Sequence, residues 1–527
     1  MVFWWKNSKK SKYPINYKCS SDDQKMNLYT DIEDNEKQLK QIFTQCSDIV
    51  YQPLRVFGNH TGFLVYFNGM VDTQLIDQMI LKTLVYQEHV KNEDIDTVIH
   101  NWIKEISFVG ETKRASDFYT VTESILNGSA AVFLEGQKNA LIFNVNGWEM
   151  RSIEEPNSES VIRGPREGFN ESITVGTSLL RRRLRSPKLK MESLQIGKLS
   201  KTEIIITYVE DIVDRSIVQE VRNRLSQISI DGVLESGYIE ELIEDAPFSP
   251  FPTVLHTERP DIVIANLLEG RVAILVDNTP FSLIVPITFW GAIQANEDYY
   301  ERFWIGSLIR WVRYFAIFIT LALPSFYLSV ITFHQEMIPT SLMLAIAASR
   351  EDIPFPALVE VLAMEFTFEV LREAGLRLPK QIGQAVSIVG ALVIGQSAVE
   401  AGFVSAPMII IVAFTGICSF AIPRYSIGIA LRILRFPLIF LAGALGLYGV
   451  TIGFLFILLH LCSLRSFGIP YFSPVSPVGF SSLKDVLFRA PWWSMHSRPQ
   501  SKSENSTRIP LGKMPGSVTD KGGSDEW

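Results

Sequence analysis

The sequence predicts an α+β soluble N-terminal region, made of two tandem related α/β subdomains, followed by an all-α transmembrane bundle of four or five spans. Three observations predict it. Before Arg313 the chain has the mixed polarity of a soluble protein, and after it come long apolar stretches, a division that the mean hydropathy of +0.17 conceals. Residues 381–404 are apolar and crowded with Gly and Ala, while residues 407–422 carry no charge, so each reads as a bilayer span. Finally, a strand-helix-helix-strand-strand pattern occurs twice at one constant offset. Tyr66, Val71, Asp72 and Ile76 recur as Tyr208, Val213, Asp214 and Val218, and Gly128, Val132, Phe133 and Leu134 recur as Gly270, Ile274, Leu275 and Val276.

The 527 residues divide by composition into a flexible lead-in (1–45), a first subdomain (46–155), a second with its linker (156–296), a membrane domain (297–464), an ordered tail segment (465–497) and a disordered end (498–527). A formal net charge of -7 gives no reason to expect a nucleic-acid partner. Cys19, Cys46, Cys418 and Cys462 form no C-x-x-C pair, so neither a disulfide framework nor a metal site is expected. The N-terminal MVFWWKNSKKSKYP lacks the apolar core of a secretory signal, which leaves the soluble half on the cytosolic side.

In the first subdomain, Phe63-Leu64-Val65-Tyr66-Phe67 has the aromatic and branched content of a buried strand. Asp72 is a natural cap for a helix running to about Tyr86, with Leu75, Ile76, Met79 and Ile80 on one face. A helix at 118–126 meets Asn127-Gly128, and strands follow at 131–134 and 140–145. Between the two copies, Arg163-Gly164-Pro165-Arg166-Glu167-Gly168 is a turn-rich linker, and Asn170 can cap a helix ending in Arg181, Arg182, Arg183 and Arg185. Those arginines suit the negative end of the helix dipole; the second reading is contact with a neighbouring subunit or anionic headgroups. In the second subdomain Pro252 and Pro260 bracket a loop, residues 261–268 form a helix, and 271–276 pair with 281–285 across Asp277-Asn278-Thr279-Pro280. The acids and arginines of this region read as loop and hairpin chemistry, because no nucleophile-base pair or metal-ligand spacing accompanies them.

Arg302, Arg310 and Arg313 precede a first span at 314–333, which therefore starts in the cytosol. Residues 338–348 are too short to cross and read as re-entrant or interfacial. The segment 356–378 is apolar yet acidic. At about 100° per residue, Glu365, Glu369, Arg372 and Glu373 share one face. Gly383, Gly390, Gly395 and Gly402 place small residues where neighbouring helices can approach closely. A last span is expected at 437–461, with Gly443, Gly446, Gly449 and Gly453 through its centre. The charge rule then conflicts with itself: Arg424, Arg432 and Arg435 argue for a cytosolic loop before this span, and Arg465, Lys484 and Arg489 for a cytosolic tail after it.

A carboxylate at membrane depth costs roughly 2.5–3.5 kcal/mol and usually faces a bundle interior or a water-filled path. Glu365, Glu369 and Glu373 are accordingly the candidate pore lining, a cation-favouring stripe that several copies around an axis would close into a ring. The competing reading pairs Arg372 with Glu369 and lays the helix in the headgroup plane. No Walker loop, G-x-G-x-x-G, H-E-x-x-H or G-x-S-x-G occurs, so neither an enzyme nor a cofactor is expected. A transporter is disfavoured, since the spans show no inverted repeat with matching broken helices.

The run EDIPFPALVEVLAMEFTFEVLREAGLRLPKQIGQAVSIVGALVIGQSAVEAGFVSAPM, with RGPREGFNESI, TERPD, EGRVAILVDNTPF and LKDVLFRAPWW in the same order, resembles the A subunit of GerA-type spore germination receptors from about Cys46 to Ser497. The resemblance implies a multi-pass protein of the inner spore membrane with a cytosolic N-terminal domain. It implies two partners, a transporter-like B subunit and a lipoprotein C subunit. It also implies nutrient sensing that triggers release of monovalent cations and then dipicolinate, with the nutrient bound mainly by the B subunit and the A subunit acting as a homo-oligomeric, ion-conducting component. The alternative is a non-conducting signalling scaffold of the receptor complex.

Overall fold

The apolar run at Phe63 forms the buried part of strand β2 (His60–Phe67), and β1 (Ile49–Val56) pairs with it along its whole length. The computed structural model describes residues 26–56, 60–81, 112–147, 156, 159, 161–377, 395–478, 483–495, 498 and 508. They fall into two units, Met1–Ser152 with Thr177–Glu192, and Ile153–Gly176 with Ser193–Trp527. The first carries a five-stranded sheet in the order β1-β2-β4-β5-β3, with β3 Thr112–Ala115, β4 Ala130–Leu134 and β5 Ala140–Phe143. Pro53 lies in β1, a strand the sequence reading missed; its place at the sheet edge makes the missing N–H tolerable.

Of the stretch 1–45, expected to be a flexible lead-in, residues 1–25 lie outside the described residues, and residues 32–42 form helix α1 (Ile32–Ile42). Asp31 caps it by accepting from Glu33 N, and Leu39 and Phe43 are buried against Phe63, Val65, Phe67 and Phe133 of the sheet. A polar helix with one apolar stripe has little hydropathy signal but still has a face to bury. Helix α2 (Phe118–Leu126) adds Val121 and Ile125 to the same core. Of the helix expected after Asp72, residues to Leu81 are described: one turn at Thr73–Leu75 passing into a π-helical Ile76–Leu81. Its continuation toward Tyr86 lies outside the described residues.

Helix α3 (Ile173–Arg183) leads to the second sheet, β6 (Leu189–Ile196), β7 (Thr202–Val209), β8 (Leu255–Thr257), β9 (Val272–Val276) and β10 (Ser282–Val285). Its order, β6-β7-β9-β10-β8, repeats the first. The register repeats too. Gly62 faces Leu134 as Ile204 faces Val276, and Ala115 faces Ala140 as Thr257 faces Ser282. Asp72 and Asp214 each cap a helix by accepting a main-chain N–H two residues on. Gly128 and Gly270 turn at φ +87 and +88, and a Cβ on either would meet a main-chain oxygen, of Met70 at 3.0 Å or Ile212 at 2.9 Å. The described pairings in both sheets are antiparallel: β1-β2, β4-β5 and β9-β10 pair strands consecutive in the chain, while β2-β4, β5-β3, β7-β9 and β10-β8 pair strands that are not. Around the second sheet, α4 (Arg215–Gln227), α5 (Ser236–Ile243) and α6 (Pro260–Leu268) supply Val218, Val221, Leu225, Ile239 and Val263 to the buried interior.

The C-terminal part is helical: α7 (Phe303–Phe333), α8 (Thr340–Ala348), α9 (Ala357–Arg377), α10 (Ala406–Phe420), α11 (Tyr425–Leu445) and α12 (Leu447–Ser463). Among the described residues, α7 and α11 are long and apolar enough to cross a membrane, and α10 and α12 are shorter apolar helices. The first expected span, 314–333, lies within α7, which begins earlier, at Phe303, so that Arg310 and Arg313 are inside the helix and buried on Asp298, Arg313 Nη1 at 2.9 Å.

The expected single span at 437–461 is also corrected. Arg432, Arg435 and Pro437 lie inside α11, and Gly446 at φ +62 ends it. Gly449 then packs on the main chain of Leu441 and Gly453 on Leu438, so α12 returns antiparallel to α11. A hairpin brings both of its ends to the same side, which removes the conflict between the arginines before the segment and those after it. Arg424, at its start, pairs with Glu159, while Ser466, after its end, donates to Thr253 O of the second module. Residues Gly383 and Gly390 lie outside the described residues; Gly395 opens a short helix, Gly395–Glu400, and Gly402 is not on a helix face but in the turn that follows, at φ +64.

Candidate functional site

The acidic helix α9 owes its existence to an apolar majority with no β-branched run and to Pro356 just before its first turn. Its carboxylates become progressively wetter along the axis: the side chain of Glu365 is 0 % exposed, that of Glu369 25 % and that of Glu373 60 %. Glu365 and Glu369 face α11, whose Arg435 sits 2.6 Å from Glu365 Oε2 and 3.2 Å from Glu369 Oε1. Arg432, one turn earlier, reaches Glu369 Oε2 at 2.9 Å, and Arg372 of α9 itself stands 3.5 Å from Glu369 Oε1. Glu373 pairs within its own helix with Arg377 at 2.7 Å.

Two features of this cluster matter chemically. First, Glu365 has a cation in contact, but neither of its oxygens receives an aligned hydrogen bond, and Arg435 Nε–H also lacks an acceptor. A buried carboxylate is well compensated only when its lone pairs are satisfied as well as its charge. Second, the acids and their partners come from two distant parts of the sequence, α9 and α11, and Arg432 and Arg435 carry half of the site although the sequence reading assigned them to a loop. Their signal was present: Arg432 and Arg435 are three residues apart, so on a helix they share a face, as do Glu365 and Glu369.

At the start of α9, Glu360 is buried and accepts from Ser405 N at 2.6 Å and Ser405 Oγ at 2.5 Å, with Arg350 Nε 3.7 Å away. That acid fastens α9 to the turn before α10. Two to three turns further along, close packing of α9 on α10 depends on a small residue, since Gly416 of α10 lies directly against the ring of Phe368.

The basic end of α3 divides. Arg181 is buried in a bidentate pair with Asp48, Nε to Oδ2 at 2.7 Å and Nη2 to Oδ1 at 2.8 Å, and its guanidinium lies over Phe67. The fold thus assigns Arg181 to an internal contact, and it is withdrawn as a residue that could touch a subunit or headgroup. Arg185 donates to Asn127 Oδ1. In the TERPD segment, Arg259 is buried between Asp261 at 3.0 Å and Pro165 O at 2.9 Å, and Tyr300 donates to Asp261 at 2.7 Å. Arg259 thereby ties the linker to the module. Among the described residues no group of three His, Cys, Asp or Glu could hold a metal ion.

Comparison with known proteins bears on the whole chain. The profile of the Bacillus/Clostridium GerA spore germination protein family matches residues 37–501. An uncharacterized membrane protein, YfkQ, of Bacillus subtilis is 48% identical over 92% of this chain and 94% of its own. Spore germination protein KA of Bacillus subtilis is 46% identical over 87% of this chain and 84% of its own, and spore germination protein GerLA of Bacillus cereus is 41% identical over 88% and 94%. The crystal structure of the N-terminal domain of the A subunit of the Bacillus megaterium spore germinant receptor GerK3 matches 50% of this chain and 98% of that one, at 32% identity and a TM-score of 0.40.

Proposed function

The chain belongs to the GerA family of spore germination proteins, and from that premise we propose that it is the membrane subunit of a nutrient germinant receptor that works as an oligomeric, cation-conducting channel. The observation that carries the proposal is the graded carboxylate stripe on α9, dry at Glu365 and open at Glu373. One helix cannot enclose a path for ions, so the reading requires several copies with their α9 helices around a common axis. In that arrangement Arg432 and Arg435 hold the inner acids in place, and Glu373 faces the wider mouth. The under-bonded Glu365 supports the reading, because a carboxylate left short of donors favours an entering cation.

The rest follows as proposal from the family. The soluble modules stand in the cytosol, the helices cross the inner spore membrane four or five times, and the partners are a transporter-like subunit and a lipoprotein subunit. No catalytic role is assigned. The competing reading is a non-conducting scaffold, favoured by the full set of ion pairs that Glu369 already has within one chain. Reconstitution of the purified full-length protein in planar bilayers separates the two. Cation-selective current that falls in Glu365→Gln and Glu369→Gln supports the lining; unaltered conductance in both variants removes it.

A further inference from the structure

A cavity of about 640 Å³ lies beside the carboxylate stripe, where the end of α10 and the first turn of α11 approach the edge strand of the second module. Three guanidinium groups line it, Arg372, Arg424 and Arg432, and His256 stands on the wall formed by that strand. The carboxylates nearby are already matched. Among the described residues, Arg372, Arg432 and Arg435 share Glu365 and Glu369, three cations to two carboxylates. Arg372 is the loosest of the three: its carboxylate contact is 3.5 Å, its shorter bond, 2.6 Å, goes to the neutral Ser419 Oγ, and it is held between the rings of Phe368 and Phe420. Glu159, the acid that lines the cavity, is taken up by Arg424 and by Thr257 Oγ1.

Two further features add positive character. Arg424 is more than nine-tenths buried, and its Nε–H has no hydrogen-bond acceptor. It also stands at the N-cap of α11, a 21-residue helix with no side-chain cap, and the first-turn residues Tyr425, Ser426 and Gly428 line the cavity, which places the positive end of the helix dipole at its wall. His256 is held protonated to higher pH than usual, chiefly by its bond to Glu240 and against the effect of burial. We propose that this cavity binds a phosphate group, gripped by Arg372 and Arg424 over the first turn of α11. The chemistry is common to a lipid headgroup and to free phosphate. Exposed Ile417, Phe420 and Tyr425 beside the cavity would give acyl chains an apolar path that free phosphate has no use for. The site stands whether or not the chain conducts ions.

Gly428 makes the test clean, because it lines the cavity and a Cβ there meets nothing within 4 Å. Full-length protein in a neutral detergent is mixed with phosphatidylglycerol, phosphatidylcholine or inorganic phosphate, and bound species are read by native mass spectrometry. Phosphatidylglycerol is expected to be retained in preference to phosphatidylcholine, with retention about tenfold lower in Gly428→Asp, the scale of one charge-assisted contact, and unchanged in Gly428→Ala. Retention of inorganic phosphate with the same sensitivity to Gly428→Asp also supports the site and assigns it to a soluble phosphate. Arg424→Gln, checked for folding by its melting temperature, should lose the same ligand. Equal retention of both lipids, or retention that Gly428→Asp leaves unchanged, together with no phosphate bound, overturns the proposal.

Discussion

Arg435 Nη2 stands 2.6 Å from Glu365 Oε2 between α9 and α11, and both side chains are excluded from solvent. Removing one member of such a pair leaves the other charge buried without a partner, at a cost of about 3–5 kcal/mol, whereas removing both can be nearly neutral. Arg435→Gln is therefore expected to lower the melting temperature of the purified protein sharply, and Glu365→Gln combined with Arg435→Gln to restore most of it. A double variant no more stable than Arg435→Gln alone would mean that the two residues do not act as a pair.

Glu373 separates conduction from folding. Its pair with Arg377 is exposed on both sides, so Glu373→Gln should change stability by about 0.5 kcal/mol or less. If the stripe lines a path, the same variant still lowers cation current in bilayers. Loss of stability with no change in current would reverse the assignment.

The repeated glycine turns are open to a matched test. Alanine at Gly128 or Gly270 must adopt a left-handed conformation and bring its Cβ to within 3.0 Å of a main-chain oxygen. Each substitution is expected to cost about 1–3 kcal/mol. Alanine at Gly136, also left-handed but with open space around it, should cost less. Limited proteolysis of the full chain, comparing cleavage within each module, is the measurement; equal behaviour of all three variants would argue against the close contacts.

His256 sets a pH dependence. Its imidazole is raised from the ordinary value of 6.5, chiefly by Glu240, so protonation is favoured by folding. The stabilisation is complete below about pH 6.5 and is lost as the pH rises through the elevated value. The melting temperatures of the wild type and His256→Asn should accordingly differ most on the acid side and converge on the alkaline side. A difference that grew with pH would contradict the pairing with Glu240.

Much of the N-terminal half was legible from local pattern. The strands at Phe63, Val132 and Val272, the capping aspartates and the two Gly turns are specified by neighbouring residues, and their recurrence at one offset identified the duplication before any register was known. Strand β1 was hidden by Pro53 and helix α1 by its polar surface, because an edge strand and an amphipathic helix bury too little to announce themselves in composition. In the helical half the acidic face was legible, since angular spacing alone places Glu365, Glu369 and Glu373 together. Its partners were not. The count of basic residues near a span cannot tell a flanking arginine from one inside the next helix, and glycines spaced along an apolar stretch read the same whether the stretch is one span or, as at Gly446, two.

By itself the sequence determined a strand-helix-helix-strand-strand module that occurs twice, then apolar helices with an acid-bearing one among them. Only the tertiary structure decided that Arg432 and Arg435 meet those acids and that residues 425–463 double back as a hairpin. Local pattern records what each residue asks of its surroundings, but a buried charge is settled by whichever opposite charge the packing brings within a few ångströms, and that partner can lie 63 or 66 residues away.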